Sequence, residues 1–290
     1  MSEQLAALVA LALHEDLEDG GDVTAAATIP SEARARARFV ARDAGVLAGL
    51  EVVRTVVRMV DPDLALKELA TDGDVLEPGT VVAELAGSTR SILAAERVAL
   101  NFLCHLSGVA TLVAHYVEAI AGTRCVLRDT RKTTPGMRAL EKSAVVAGGG
   151  ANHRMGLYDG ILIKDNHVAA AGGTFEATRQ ALAYVQATGR DLAVQVEVDD
   201  VDQLREALSA GARVVLLDNF DLERMRQAVV VCREEREYVY VEASGRVSFD
   251  NVRDIAMTGV DAIAVGAITH SAPVLDLGLD WAVVTASGED

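Results

Sequence analysis

Residues 192–220 read LAVQVEVDDVDQLREALSAGARVVLLDNF: an apolar run ending in acid, a helical segment near 200–209, then a second apolar run ending at Asp218-Asn219. Near-continuous apolar strands joined through a helix belong to a parallel sheet covered on both faces. The pattern extends in both directions. CVLRD, DGILIKD and the two runs above are followed by EYVYVEAS and DAIAVGA, with helical spacing near 137–147, 174–187, 221–235 and 249–257. Six strands separated by helices predict an α/β fold, an incomplete parallel α/β barrel two strands short of the usual eight.

The first third of the chain has another texture. Residues 3–17 carry helical apolar spacing that stops before Gly20-Gly21, DVTAAATIP reads as an irregular lead-in, and Ala33 to Leu93 reads as short β-like runs with a turn at Glu77-Pro78-Gly79. The turn is similar to the strand layout of biotinyl or lipoyl carriers, but no lysine occupies it, which excludes a swinging arm. Residues 91–120 read as a helix interrupted by Glu96, Arg97, Asn101, His105 and His115, breaks that exclude a membrane span. The expected division is a smaller N-terminal α+β domain, 1–107, joined by the C-terminal segment 272–290, and a barrel domain, 108–271.

The formal net charge is −16, yet the stretch from Arg124 to His167 holds five arginines and three lysines against Asp129, Glu141, Asp159 and Asp165. An acidic chain with one cationic island suits small carboxylates or phosphates; the remaining surface repels nucleic acid. Within the island, Arg138, Glu141 and Lys142 have the spacing of solvated helix-face charges, and Gly148-Gly149-Gly150 reads as a helix stop with no P-loop pattern. Cys104, Cys125 and Cys232 are too scattered for a disulfide framework or a zinc site and read as packed, reduced thiols of a cytoplasmic protein. The N-terminal apolar run, Leu5 to Leu13, has no basic leader and is not expected to be a signal or membrane segment.

Reactive groups of such a barrel lie at the C-terminal ends of its strands. Those ends are Asp129-Thr130-Arg131-Lys132, Lys164-Asp165-Asn166, Glu197, Asp218-Asn219, Ser244-Gly245 and Gly266. Arg131 and Arg154 suit a planar acid because a guanidinium grips a carboxylate with two parallel hydrogen bonds. Lys132 and Lys164 suit phosphate as point charges. Glu197 and Asp218 suit Mg²⁺ through waters, or sugar hydroxyls. Ser244-Gly245 and Gly266 fit backbone phosphate binding after the last two strands. His153 and His167 lack metal-ligand spacing.

RDTRKTTPGMR, GGGANHRMGLYDGILIKDNH, VEVD, LLDNF, EASG and GVDAIAVGAITHSAP, with EDLEDGGDVTAAATIP near the N-terminus, resemble the quinolinate phosphoribosyltransferase family over nearly the full length. The resemblance implies transfer of a phosphoribosyl group from phosphoribosyl pyrophosphate (PRPP) to quinolinate with Mg²⁺, giving nicotinate mononucleotide, pyrophosphate and CO₂ in NAD biosynthesis. It implies quinolinate contacts from Arg131, His153, Arg154 and Lys164, with Thr130 beside them. Lys132, Glu197, Asp218, Ser244, Gly245 and Gly266 would hold PRPP and its metal, Glu197 and Asp218 being the metal pair. Lys132, Lys164, Glu197 and Asp218 form the implied catalytic set. It also implies a homodimer, or a higher oligomer, in which Arg97 reaches the neighbouring site. One departure stands out: where the family commonly has a second glycine after Ser-Gly, this chain has Arg246, which either adds a phosphate contact or crowds the loop. Competing readings are a related transferase for another pyridine or a molybdenum-linked substrate, a Schiff-base lyase using Lys164 or Lys132, and a non-catalytic phosphate-binding regulator.

Overall fold

The computed structural model describes residues 3–235 and 237–282. The elements run α1 (Glu3–Leu17), α2 (Val23–Thr28), β1 (Arg34–Ala41), β2 (Gly45–Val46), α3 (Leu50–Val60), β3 (Ala65–Glu68), β4 (Val75–Leu76), β5 (Val81–Ser88) and α4 (Thr89–Ala119). They continue as β6 (Val126–Arg128), α5 (Arg138–Ala147), β7 (Ile161–Ile163), α6 (Asp165–Ala171), α7 (Thr174–Thr188), β8 (Val194–Val198), α8 (Val201–Ser209) and β9 (Val214–Asp218). The last are α9 (Leu222–Arg233), β10 (Tyr240–Ser244), α10 (Val252–Ala256), β11 (Ala262–Ala264), α11 (Ala267–His270) and β12 (Leu277–Ala282). The chain divides into two units: Met1–Leu112 with Pro135–Gly149 and Ser271–Asp290, and Val113–Thr134 with Gly150–His270.

The first unit is built on an antiparallel sheet of order β12-β1-β5-β3. Two of its helices depart from the sequence reading. DVTAAATIP is not irregular: Asp22 accepts the Ala25 amide at 2.8 Å and caps α2. LEVVRTVVRMV was expected among the β-like runs but forms α3, although its valines favour strands. Burial of Leu50, Val52, Val53, Val56 and Val57 on one helical stripe outweighs that preference; each such side chain contributes roughly 1.5–3 kcal/mol when fully buried. Asp72 supplies the missing cap by accepting the Gly49 and Leu50 amides at 3.0 and 3.1 Å.

Helix α4 is long and apolar enough, by length and composition, to cross a membrane, but 61% of its most apolar window is buried within the protein. Ile92, Ala95, Ala99, Leu103, Leu106 and Ala110 recur at three- and four-residue steps and are fully or almost fully buried, the stripe of a core helix. Helix α5 corrects a third expectation. Its buried face carries Glu141, Lys142, Ala144 and Val145, so Glu141 and Lys142 are core residues and not solvated charges. His105 Nε2 meets Glu141 Oε1 at 2.9 Å, in keeping with the rule that buried charges have partners. Gly148 ends this helix, as read.

The second unit holds six parallel strands in the order β6-β11-β10-β9-β8-β7. The terminal strands β6 and β7 do not pair, and an isolated parallel bridge joins Arg128 to Ala151 outside the named strands. This is the incomplete barrel the alternation predicts. Helix α6, starting directly after Lys164, was not foreseen; the His167 ring accepts the Lys164 amide through Nδ1 at 3.0 Å, and Gly172 at φ +89 ends it.

Candidate active site

Strand side chains at i and i+2 face the same way. In the second unit this rule puts Leu162 and Lys164, and Leu216 and Asp218, into one cleft of about 540 Å³, floored also by Ala264. Thr130, Arg131, Lys132, His153, Arg154, Glu197, Asn219, Ser244, Gly245 and Arg246 complete its lining. Five cationic side chains face two carboxylates there, so the cleft keeps a positive balance inside a chain of net charge −16.

The cations are held in different ways. Lys164 Nζ forms an ion pair with Glu197 Oε2. Burial pushes the Glu197 carboxyl above its ordinary value, Lys164 opposes this, and Asp218 and Asp165 add to it. Arg154 Nη1 donates to the Gly160 carbonyl at 2.8 Å, while its buried Nε has no acceptor among the described residues. Burial, then the charge of Arg131, pushes the Arg154 guanidinium below its ordinary value, with Asp159 acting against them. A second positive charge and an unanswered donor both favour an arriving anion.

Glycines shape the opposite side. A Cβ at Gly245, whose φ is +84, would lie 2.4 Å from Asn219 Oδ1 and 2.9 Å from the Asn219 nitrogen. Asn219 itself has φ +56, donates its amide to the Ser244 carbonyl at 3.0 Å and donates through Nδ2 to Asp218 Oδ2 at 2.6 Å. Ser244 is register partner to Asp218 across β10 and β9. A Cβ at Gly266 would sit 3.0 Å from Lys132 Cδ and 3.3 Å from His270 Nε2.

Beneath the cleft lies a buried polar layer. Arg128 Nη1 donates to Glu242 Oε2 at 2.6 Å, Gln195 Nε2 donates to the same oxygen at 3.3 Å, and Glu242 is fully buried. His153 Nδ1 accepts the Arg154 amide at 2.7 Å, which leaves the neutral ring's proton on Nε2, 2.9 Å from Gln195 Oε1 and able to donate to it. The His153 amide donates to buried Asp129 Oδ1 at 2.7 Å.

The profile of the quinolinate phosphoribosyl transferase N-terminal domain matches residues 22–107 and that of the C-terminal domain matches residues 109–280. The chain belongs to the quinolinate phosphoribosyltransferase family. Among members of the family, it is 44% identical over 271 residues to a nicotinate-nucleotide pyrophosphorylase (carboxylating) of Mycobacterium leprae, covering 93% of this chain and 94% of that one. It is 38% identical over 290 residues to quinolinate phosphoribosyltransferase (decarboxylating) 1b of Nicotiana tabacum, covering 95% and 81%. The solved nicotinate-nucleotide pyrophosphorylase of Francisella tularensis superposes with a TM-score of 0.91 at 38% identity, covering 97% and 96%.

For this family member, ten of the twelve side chains or backbones singled out for substrate line one cleft. Gly266 lies next to it, against Lys132. Arg97 is in the first unit, exposed, and lines a different cleft with Glu15, Asp16, Asn101, His105 and Met137. Glu242 and Gln195 escaped the strand-end reading because they sit within strands, two residues before Ser244 and Glu197, and Arg128 because it closes β6 just before the polar run that starts at Asp129. The signal for the first two was a polar side chain inside the runs VQVEV and YVEAS. Among the described residues no group of three or more His, Cys, Asp or Glu side chains is placed to hold a metal; Glu197 and Asp218 are the two carboxylates that line the cleft.

Proposed function

We propose that this cleft joins quinolinate to PRPP, releasing pyrophosphate and CO₂ and giving nicotinate mononucleotide for NAD biosynthesis. The observation that carries the reading is the Arg131–Arg154 pair with the buried, unanswered Arg154 Nε, a receptor for a planar acid carrying two carboxylates. Arg131, His153, Arg154 and Lys164 bind quinolinate, with Thr130 at the edge. Lys132, Ser244, Gly245 and Gly266 bind the phosphates of PRPP.

The pyridine nitrogen attacks the anomeric carbon as the bond from that carbon to the pyrophosphate oxygen breaks, through an oxocarbenium-like sugar. The carboxylate beside the now cationic ring nitrogen then leaves as CO₂, its bonding pair is stabilised by that nitrogen, and a proton takes its place. The cleft's work is positioning and charge compensation, because both substrates are polyanions that repel each other. His153 is oriented by the Arg154 amide and by Gln195, and its part in the reaction is to position quinolinate.

Glu197 and Asp218 are hard oxygen donors on adjacent parallel strands, a pair that fits Mg²⁺ only when substrate phosphates and waters complete its shell. When bound, the ion would neutralise the departing pyrophosphate. Lys164, which lines the same cleft, supplies a positive charge for quinolinate. We further propose that the protein works as a cytoplasmic homodimer with Arg97 reaching the neighbouring subunit's cleft. The exposure of Arg97 and the three free cysteines, two of them buried with thiols pushed up by burial to about 12 and about 11, support that setting.

A Schiff-base lyase needs a free lysine amine to attack a carbonyl, and Lys164 Nζ is engaged by the Glu197 carboxylate. The test is incubation of purified protein with quinolinate, PRPP and Mg²⁺, following nicotinate mononucleotide and CO₂, with nicotinate as control acid. Product from quinolinate alone is expected. Equal turnover of nicotinate would remove the diacid reading, and a borohydride-trapped adduct would return the lyase.

A further inference from the structure

Three non-glycine residues among those described have positive φ, and two of them, Asn219 and Arg246, line the cleft. Asparagine tolerates this region because its short side chain bonds locally, as Asn219 does to Asp218. Arginine has no such compensation, yet Arg246 holds φ +49 directly after Gly245 at φ +84. The loop is pinned from the other side: Asn251 Nδ2 donates to the Arg246 carbonyl at 3.0 Å, and the Ser248 amide donates to Asn251 Oδ1 at 2.9 Å. Arg246 is exposed and, among the described residues, makes no ion pair. A non-glycine residue held at positive φ inside a cleft, with its side chain turned to no partner, is a place to look for a functional side chain.

We propose that Arg246 is a binding residue of this cleft that grips the phosphate monoester at the sugar's 5′ end, beside Ser244 and Gly245. The assignment rests on the phosphoribosyl-transfer reading above. It follows from placement: Arg246 continues the β10 strand end, on the side of the barrel where the last two strands offer backbone amides to phosphate, and away from Arg131 and Arg154 in sequence and strand order. A guanidinium adds a two-pronged contact to such a phosphate that a glycine at the same position lacks. Arg246 therefore recognises a group shared by PRPP and the product mononucleotide and absent from quinolinate and from pyrophosphate.

The test compares wild type with Arg246→Gly, a change that suits the backbone and removes only the cation, by calorimetric titration with PRPP–Mg²⁺, nicotinate mononucleotide, pyrophosphate–Mg²⁺ and quinolinate. Expected is about a tenfold loss for PRPP and the mononucleotide, which corresponds to about 1.4 kcal/mol. The loss should shrink as salt rises, pyrophosphate and quinolinate should bind as before, and Tm should stay level or rise. Unchanged or tighter PRPP binding by the variant would overturn the proposal and leave Arg246 as a crowding residue. A wild type that binds no PRPP would instead bring down the transferase reading on which it rests. Arg246→Lys, which keeps the charge without the fork, should recover part of the loss; no recovery together with a lower Tm would mark the effect as structural.

Discussion

Arg154→Ala tests the proposed acid receptor directly. One of the five guanidinium donors is satisfied by Gly160, Nε is buried without an acceptor among the described residues, and burial together with the charge of Arg131 pushes the guanidinium below its ordinary value. A carboxylate arriving on the Nε edge would gain a bidentate charged contact and relieve the Arg–Arg repulsion. Losing one partner of such a pair costs about 2–5 kcal/mol. Arg154 is only partly buried, so the lower part of that range applies, about 2–3 kcal/mol, or about 30- to 150-fold in quinolinate affinity. The same truncation removes an unsatisfied donor and a like-charge repulsion from the free protein, so Tm should fall little despite the lost bond to Gly160. Calorimetry with quinolinate and with PRPP–Mg²⁺, alongside thermal melts, measures all three. Equal losses for the two substrates, or a fall in Tm large enough to account for the binding loss, would refute the assignment.

Gly245→Ala should destabilise the protein by about 1–3 kcal/mol, since the new Cβ meets Asn219 at 2.4 Å in a backbone conformation that disfavours it; a thermal melt indistinguishable from wild type would contradict the tight approach drawn here. Glu242 is buried and its carboxyl lies above its ordinary value of 4.5, chiefly through burial and against the pull of Arg128. A raised acid contributes stability that is complete below its unfolded value and is lost as pH rises through the folded one. Glu242→Gln, which can still accept from Arg128, should therefore flatten the decline of Tm as pH climbs above 4.5; an unchanged slope would mean the carboxyl does not titrate differently on folding. Arg97→Ala should lose turnover on its own and regain part of it when mixed with Lys164→Ala subunits, because one hybrid cleft would then be intact; no recovery after subunit exchange would argue that Arg97 serves no neighbouring site.

The barrel was legible because its strands are buried on both faces and so appear as unbroken apolar runs, and because each one changes to polar residues at the same end. That coincidence of endings also exposed the cleft. Helix α3 was hidden by composition: its valines favour strands, and its N-terminal cap, Asp72, lies 22 residues downstream of the Leu50 amide it accepts. The 52-53-56-57 spacing of its valines was nevertheless helical, and there periodicity was a better guide than propensity. Glu141 and Lys142 misled for a different reason. Their spacing from Arg138 suits an exposed face, and nothing local announces that His105, 36 residues earlier, meets Glu141 in the core.

The buried layer explains why Arg154 stands where it does. Strand-end residues face a cleft only if the loop carrying Arg154 is fixed, and that loop has no regular structure between Ala151 and Gly160. It is fixed from below and from within: Asp129 accepts the His153 amide, Asp159 accepts the Met155 and Gly156 amides at 2.7 and 2.8 Å, and the His153 ring accepts the Arg154 amide. The ring in turn is oriented by Gln195, and Gln195 by Glu242, which accepts from Arg128. A chain of hydrogen bonds thus runs from the Arg128 cation at one strand to the backbone of the arginine above it. Changes in that chain should act on quinolinate binding through position and not through charge. Gln195→Leu, touching no substrate, should weaken quinolinate while leaving PRPP–Mg²⁺ affinity in place, and loss of both together would separate the layer from the receptor it is argued to hold.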